Sequence, residues 1–166
     1  MQLPGKIYII GGAGSGKSTL AREISKIKHI PHFCLDDIMW YKKYSEKLPL
    51  EQRTYKLHAN ILEQHNRWVI EWFAVDWADA CYLAADLVIV FNVPRLTIAW
   101  RIFKRYLIDI SHWDFTQTFF GMVSLIRWAV TCQNPKSKYS LRRHIDDCKK
   151  YWCTYVVIRD AKEILG

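Results

Sequence analysis

At 166 residues with a formal net charge of +8, the chain is sized for one domain that buries roughly 70% of its unfolded surface. Its five cysteines are odd in number and include no C-x-x-C pair, which argues against a disulfide framework or a zinc ribbon. The start lacks a basic segment followed by a long apolar one, and Phe119 to Cys132, the most apolar later stretch, is too short for a bilayer and contains Arg127. The expectation is therefore a soluble cytoplasmic protein with no membrane partner.

Lys6 to Ile10 is an apolar run of the kind found in a parallel strand buried on both faces. Gly11-Gly12-Ala13-Gly14-Ser15-Gly16-Lys17-Ser18-Thr19 follows and satisfies G-x-x-x-x-G-K-[ST]. In that pattern backbone N–H groups wrap the phosphates of a nucleotide, Lys17 reaches the β and γ oxygens, and the Ser18 hydroxyl holds Mg²⁺. From Lys17 onward Leu20, Ala21, Ile24 and Ile27 recur at helical spacing until Pro31, so the loop's anion meets a helix N-terminus. These nine residues are the predicted site for ATP.

Pro31 to Leu35 reads as a second short strand ending at Asp36-Asp37, and Pro49 starts a helix running to about His65. Arg67 to Glu71 is a third strand that closes on a carboxylate. A short helix over about 76–85 leads to a fourth, fully buried strand, Leu87 to Phe91. Pro94 opens a helix expected to bury Leu96, Ala99, Trp100, Phe103, Tyr106 and Leu107. Helices over about 116–131 and 138–149, a last strand from Thr154 to Ile158 and a final helical turn complete the chain.

Alternating strands and helices predict an α/β, three-layer fold with a parallel sheet, in which ligands lie beyond the carboxyl ends of the strands. Three strands end in chemistry there: the glycine loop, Asp36 and Glu71. Glu71 is the candidate Mg²⁺ carboxylate beside Ser18. Asp36 is the candidate to hold an acceptor or take the proton of its hydroxyl. The predicted catalytic set is Lys17, Asp36, Arg101, Arg105 and Arg142.

Residues 1–94 carry 11 Lys/Arg against 10 Asp/Glu, whereas residues 95–166 carry 13 against 6. Arg101 and Arg105 share one helix face, and with Lys136, Lys138, Arg142 and Arg143 they fit a closing lid that neutralises transferring charge. The same asymmetry fits a nucleic-acid-binding surface. Eight tryptophans and nine tyrosines are many for this length. Trp40 and Trp72, near Tyr41, Tyr44, Phe73 and Trp77, are candidates to stack on an acceptor. The apolar helix after Phe115 is either core or a homodimer contact.

The chain resembles the small P-loop proteins called topology modulation proteins (FlaR-like), relatives of adenylate kinase and other nucleoside monophosphate kinases. IIGGAGSGKSTLAREIS, IPHFCLDDIMW, the WVI of the third strand and AADLVIVFNVPRLTIAWRIFKR carry the likeness. A weaker echo runs from WAVTCQNPKSK to VVIRDAKEIL. The resemblance implies a five-stranded parallel sheet ordered 2-3-1-4-5, a single domain over 1–166, and a mobile helical lid over about 104–140. It also implies ATP and Mg²⁺ as cofactors and an acceptor pocket formed after the second strand. Departures cluster on the acceptor side. Glu71-Trp72-Phe73-Ala74 replaces the usual aspartate–glycine–asparagine–tyrosine, and Cys81 stands where a basic residue is common. Three readings are open: an Mg²⁺-dependent phosphotransferase acting on a nucleotide, nucleoside or similar small molecule; a nucleic-acid-associated ATPase or binding module without such an acceptor; or, given Trp72 and Cys81, a member that binds nucleotide without useful turnover.

Overall fold

The computed structural model describes residues 3–42, 46–73, 77–111, 119–137 and 139–166. Tyr44, Ala74, Phe115 and Lys138, singled out from the sequence, lie outside the described residues.

Five strands form one parallel sheet: β1 (Lys6–Ile10), β2 (His32–Cys34), β5 (Trp68–Trp72), β6 (Leu87–Phe91) and β7 (Tyr155–Ile158). A separate antiparallel hairpin, β3 (Trp40–Lys42) with β4 (Glu46–Lys47), was not anticipated from the sequence. The sheet order is β2-β5-β1-β6-β7. Without the hairpin, that is the expected 2-3-1-4-5.

The period of two along each strand divides the core in half. Ile7, Ile9, Val69 and Ile89 face one side, where helix α1 (Lys17–Lys28) contributes Leu20, Ala21 and Ile24. Tyr8, Ile10, Trp68, Ile70, Trp72, Val88 and Val90 face the other, against Leu57, Cys81, Tyr82 and Cys148. Those last four come from α3 (Leu50–Leu57), α4 (Asp79–Ala84) and α7 (Leu141–Lys150). Short α2 (Asp36–Met39) follows β2, α3 runs on into a π-helical turn at His58–Leu62, and α8 (Lys162–Leu165) ends the chain.

Helix α5 (Arg95–Ser111) packs with α6 (Phe119–Cys132) on the α1 side of the sheet, burying Ile98, Ile102, Met122 and Ala129. The expected inner face of α5 is corrected. Leu96, Trp100 and Leu107 are exposed, at 85%, 61% and 48%, and Phe103 and Tyr106 are only partly covered. Arg95, Arg101, Lys104, Arg105 and Asp109 interrupt the apolar residues of the helix, and it is Ile98 and Ile102, set among those charges, that reach the core. A side chain on Gly14 would lie 3.0 Å from Ile102 Cγ1 and 3.3 Å from the Ile98 carbonyl, so the inner face of α5 lies directly against the glycine loop.

Candidate active site

The loop between β1 and α1 takes its shape from glycines where no side chain fits. Gly14 and Gly16 have φ of 73° and 101°, in the left-handed region that L side chains avoid. A Cβ on Gly11 would meet Ser15 Oγ at 2.7 Å and Phe91 Cβ at 2.9 Å, whereas one on Gly12 would meet nothing within 4 Å. The loop is thus packed on its protein side and open at Gly12. Gly16 caps α1 without a side-chain hydrogen bond, and the first turn holds no acid of its own, so the positive end of the helix is not neutralised from within. The Ser15 hydroxyl is buried without a partner among the described residues, an orphaned polar atom within the cradle.

Ser18 donates its hydroxyl to Glu71 Oε2 at 2.6 Å, and Lys17 Nζ lies 3.8 Å from the same oxygen. The other oxygen, Oε1, accepts from His32 Nε2 at 3.1 Å. Burial would raise the Glu71 pKa, but His32, Lys17 and Ser18 together override it and hold the carboxyl below its ordinary range. Glu71 is therefore an ionised carboxylate with 1% exposure, an arrangement affordable only because each oxygen is occupied.

Asp36 begins α2, just past β2, and is half-buried. Burial raises its pKa, Lys17 and Trp40 pull it back, and Glu71 and Asp37 push it up; the net shift is upward. Cys34 Sγ lies 3.9 Å from Asp36 Oδ2. Desolvation makes Asp36 a better proton acceptor than a surface aspartate.

Arg101 on α5 reaches the loop. Its Nη1 donates to the Ser15 carbonyl at 2.7 Å and its Nη2 to Asp160 Oδ2 at 3.0 Å, just beyond β7. Arg105 is exposed. Arg142, also exposed, lies 4.0 Å from Asp146. With Lys136, Ser140 and Arg143 those two line a depression at the start of α7, so part of the predicted lid set is gathered there rather than at the glycine loop.

Trp40 remains partly exposed beside Lys47, whose ammonium lies 5.6 Å from its ring. Trp72 does not. It is 1% exposed and packs on Trp77 and Phe73, with ring centroids 5.6 Å and 5.1 Å away, so the expectation of substrate stacking on Trp72 is corrected. Alternation is the reason: Trp72 shares its sheet face with Trp68 and Ile70. Half-buried Phe73 instead meets Trp128 at 5.1 Å and Tyr139 at 5.7 Å. Sequence reasoning missed three residues here. His32 and Asp160 are linked to the site only by strand register and topology. Arg53 lies 5.6 Å over the Trp77 ring with Nε buried and unpartnered among the described residues.

No family model matches the chain. Over 127 residues it is 29% identical to the uncharacterized protein YqaC of Bacillus subtilis (strain 168), covering 72% of this chain and 71% of that one. It is similar to a gluconokinase from Sinorhizobium meliloti 1021, with a TM-score of 0.56 and 18% identity over 99% of this chain and 89% of the other. Shikimate kinase from Acinetobacter baumannii gives 0.55 and 16% over 97% and 90%. A sugar kinase from Janibacter sp. HTCC2649 gives 0.53 and 14% over 98% and 91%. The fold is that of the P-loop kinases.

On this P-loop kinase fold the donor set can be tested for a metal. Among the described residues no three His, Cys, Asp or Glu side chains gather to hold an ion by themselves. A serine hydroxyl and one carboxylate beside a phosphate cradle are the hard oxygen donors Mg²⁺ takes, the rest of its octahedron coming from phosphate and water. Ser18 and Glu71 fit it. No helix among the described residues is long and apolar enough to cross a membrane.

Proposed function

We propose that this chain is an Mg²⁺-dependent phosphotransferase that moves the γ-phosphoryl group of ATP to a small hydroxylated molecule, within the FlaR-like group of nucleoside-monophosphate-kinase relatives. The observation that carries the reading is the 2.6 Å hydrogen bond between Ser18 and Glu71 with Lys17 alongside, at the mouth of a glycine loop. Mg²⁺ held at Ser18 and Glu71 would neutralise the β- and γ-phosphate charge.

The chain's own groups divide the remaining work. Backbone N–H groups of Gly12 to Thr19 cradle the phosphates, and Lys17 reaches the transferring group. Arg101 braces the loop, Arg105 lies at the start of a lid over about 104–140, and Arg142 follows that lid on α7. Asp36 orients the acceptor hydroxyl and accepts its proton as the O–P bond forms and the bond to the ADP oxygen breaks. Trp40 and Phe73 border the acceptor. Arg53 supplies a cation for an acceptor bearing a negative group.

The test is ADP formation by purified protein with ATP and Mg²⁺, with and without a panel of nucleoside monophosphates, nucleosides, sugars and hydroxy acids, alongside Lys17→Ala. Turnover that appears with one acceptor and vanishes in the variant supports the reading. Slow hydrolysis indifferent to every acceptor overturns it. In that case the competing reading, a nucleic-acid-associated ATPase, takes over. The basic depression of Lys136, Arg142 and Arg143 favours that alternative, which requires DNA or RNA affinity that collapses with rising salt.

A further inference from the structure

Glu71 is one methylene longer than an aspartate, and the added rotatable bond lets its carboxylate swing. Two partners compete for it. Lys17 Nζ stands 3.8 Å from Oε2, near the outer limit of an ion pair, while Ser18 holds the same oxygen at 2.6 Å. A carboxylate free to turn would close on the ammonium, since that pair is almost wholly buried and lightly screened. Lys17 would then be drawn from the phosphates, and Ser18 would lose its partner.

What stops the rotation lies on the neighbouring strand. β2 is the edge strand beside β5, and its register sets His32 against Val69 and Cys34 against Glu71. His32 and Cys34 therefore share the sheet face on which Glu71 meets α1. His32 Nε2 donates to Oε1 at 3.1 Å, because an ionised carboxylate has no proton to give.

Resting on the reading above, we propose that His32 is a positioning residue. It tethers Oε1 of Glu71 so that Oε2 serves Ser18 and the Mg²⁺ rather than capturing Lys17. His32 touches neither nucleotide nor metal and acts only through Glu71. Outer-shell partners of this kind typically change metal affinity by about 10–100-fold when removed.

The experiment is equilibrium binding of a fluorescent ATP analogue with Mg²⁺ and with EDTA, for wild type, His32→Ala and His32→Gln, each checked by thermal melting. The readout is the gain in affinity that Mg²⁺ confers. His32→Ala is expected to lose about tenfold of that gain. His32→Gln, which keeps a donor near the same place, is expected to retain it to within about threefold. If His32→Ala does not fold, His32→Leu replaces it with the same expectation. An unchanged gain in the donor-less variant overturns the proposal, and so does a loss in His32→Gln as deep as in His32→Ala. A wild-type protein that binds nucleotide with no Mg²⁺ gain overturns both this proposal and the functional reading; a wild-type gain shared by the variants overturns this proposal alone.

Discussion

Arg101 donates to the carbonyl of Ser15 at 2.7 Å, across 86 positions of the chain, and so fastens helix α5 to the glycine loop. The second arm of the same guanidinium holds Asp160 at 3.0 Å, which ties in the loop after β7. A planar fork with donors on two arms is needed to serve a carbonyl and a carboxylate at once, and an ammonium cannot reproduce it. Arg101→Ala is expected to weaken ATP binding by about tenfold, near the low end of 1.5–3 kcal/mol for a charge-assisted hydrogen bond. Arg101→Lys should recover only a minor part of the loss. Titration calorimetry on the three proteins decides it, and wild-type affinity in Arg101→Ala would remove the brace from the account.

Glu71 links the site to acid stability. Its folded-state pKa is held below the ordinary value, despite burial, by His32, Lys17 and Ser18. A depressed carboxylate contributes stability that is fully present above the unfolded pKa, about 4.3, and disappears as pH falls through the folded value. Glu71→Gln should therefore be less stable than wild type at pH 7, with the difference narrowing below about pH 4. Urea midpoints at both pH values would show it. A gap that stays constant would mean that Glu71 contributes by packing alone.

Asp36 has the opposite sign. Burial raises its pKa more than Lys17 and Trp40 lower it, so its ionised form is disfavoured in the folded protein at every pH above the carboxylate range. Asp36→Asn should melt higher than wild type at pH 7, bind ATP as before and lose acceptor-dependent turnover by about 10²–10⁴-fold, the usual range for a lost general base. Stabilisation together with lost turnover is the signature of a strained functional carboxylate. Full turnover in the variant would take Asp36 out of the chemistry.

The frame and the glycine loop of the candidate site were legible because their signals are local. Lys6 to Ile10, the glycines and Leu20-Ala21-Ile24 each carry their period or their backbone requirement in consecutive residues. The surroundings of Glu71 and the orientation of α5 were not, because they depend on choices that local pattern leaves open. Helix α5 carries more apolar residues than its packed face can cover, and Ile98 and Ile102, against Gly14, are the ones buried while Leu96, Trp100 and Leu107 reach solvent. Trp72 could have capped its strand outward, yet one step of alternation beyond Ile70 puts it in the core. His32 becomes meaningful only when β2 lies beside β5, in a register no residue of β2 announces.

His144 on α7 is 3% exposed, and its Nδ1 has no partner among the described residues. Burial pushes its pKa down to about 4, helped by nearby Arg143 and opposed by the Tyr139 backbone. The unfolded chain takes up this proton near pH 6.5, whereas the folded one resists until about 4. Stability must therefore fall between those values as the solution is acidified, and level off below them. With each pKa unit worth about 1.4 kcal/mol, the loss from pH 7.5 to pH 5 is roughly 2 kcal/mol. Asp36 and Asp147, both raised by burial, act in the opposite direction, so the histidine is isolated by comparison with a variant that lacks it. His144→Leu, close in volume and unable to protonate, should lose much less stability over the same span in urea unfolding. A variant as acid-sensitive as wild type would assign the transition to another group.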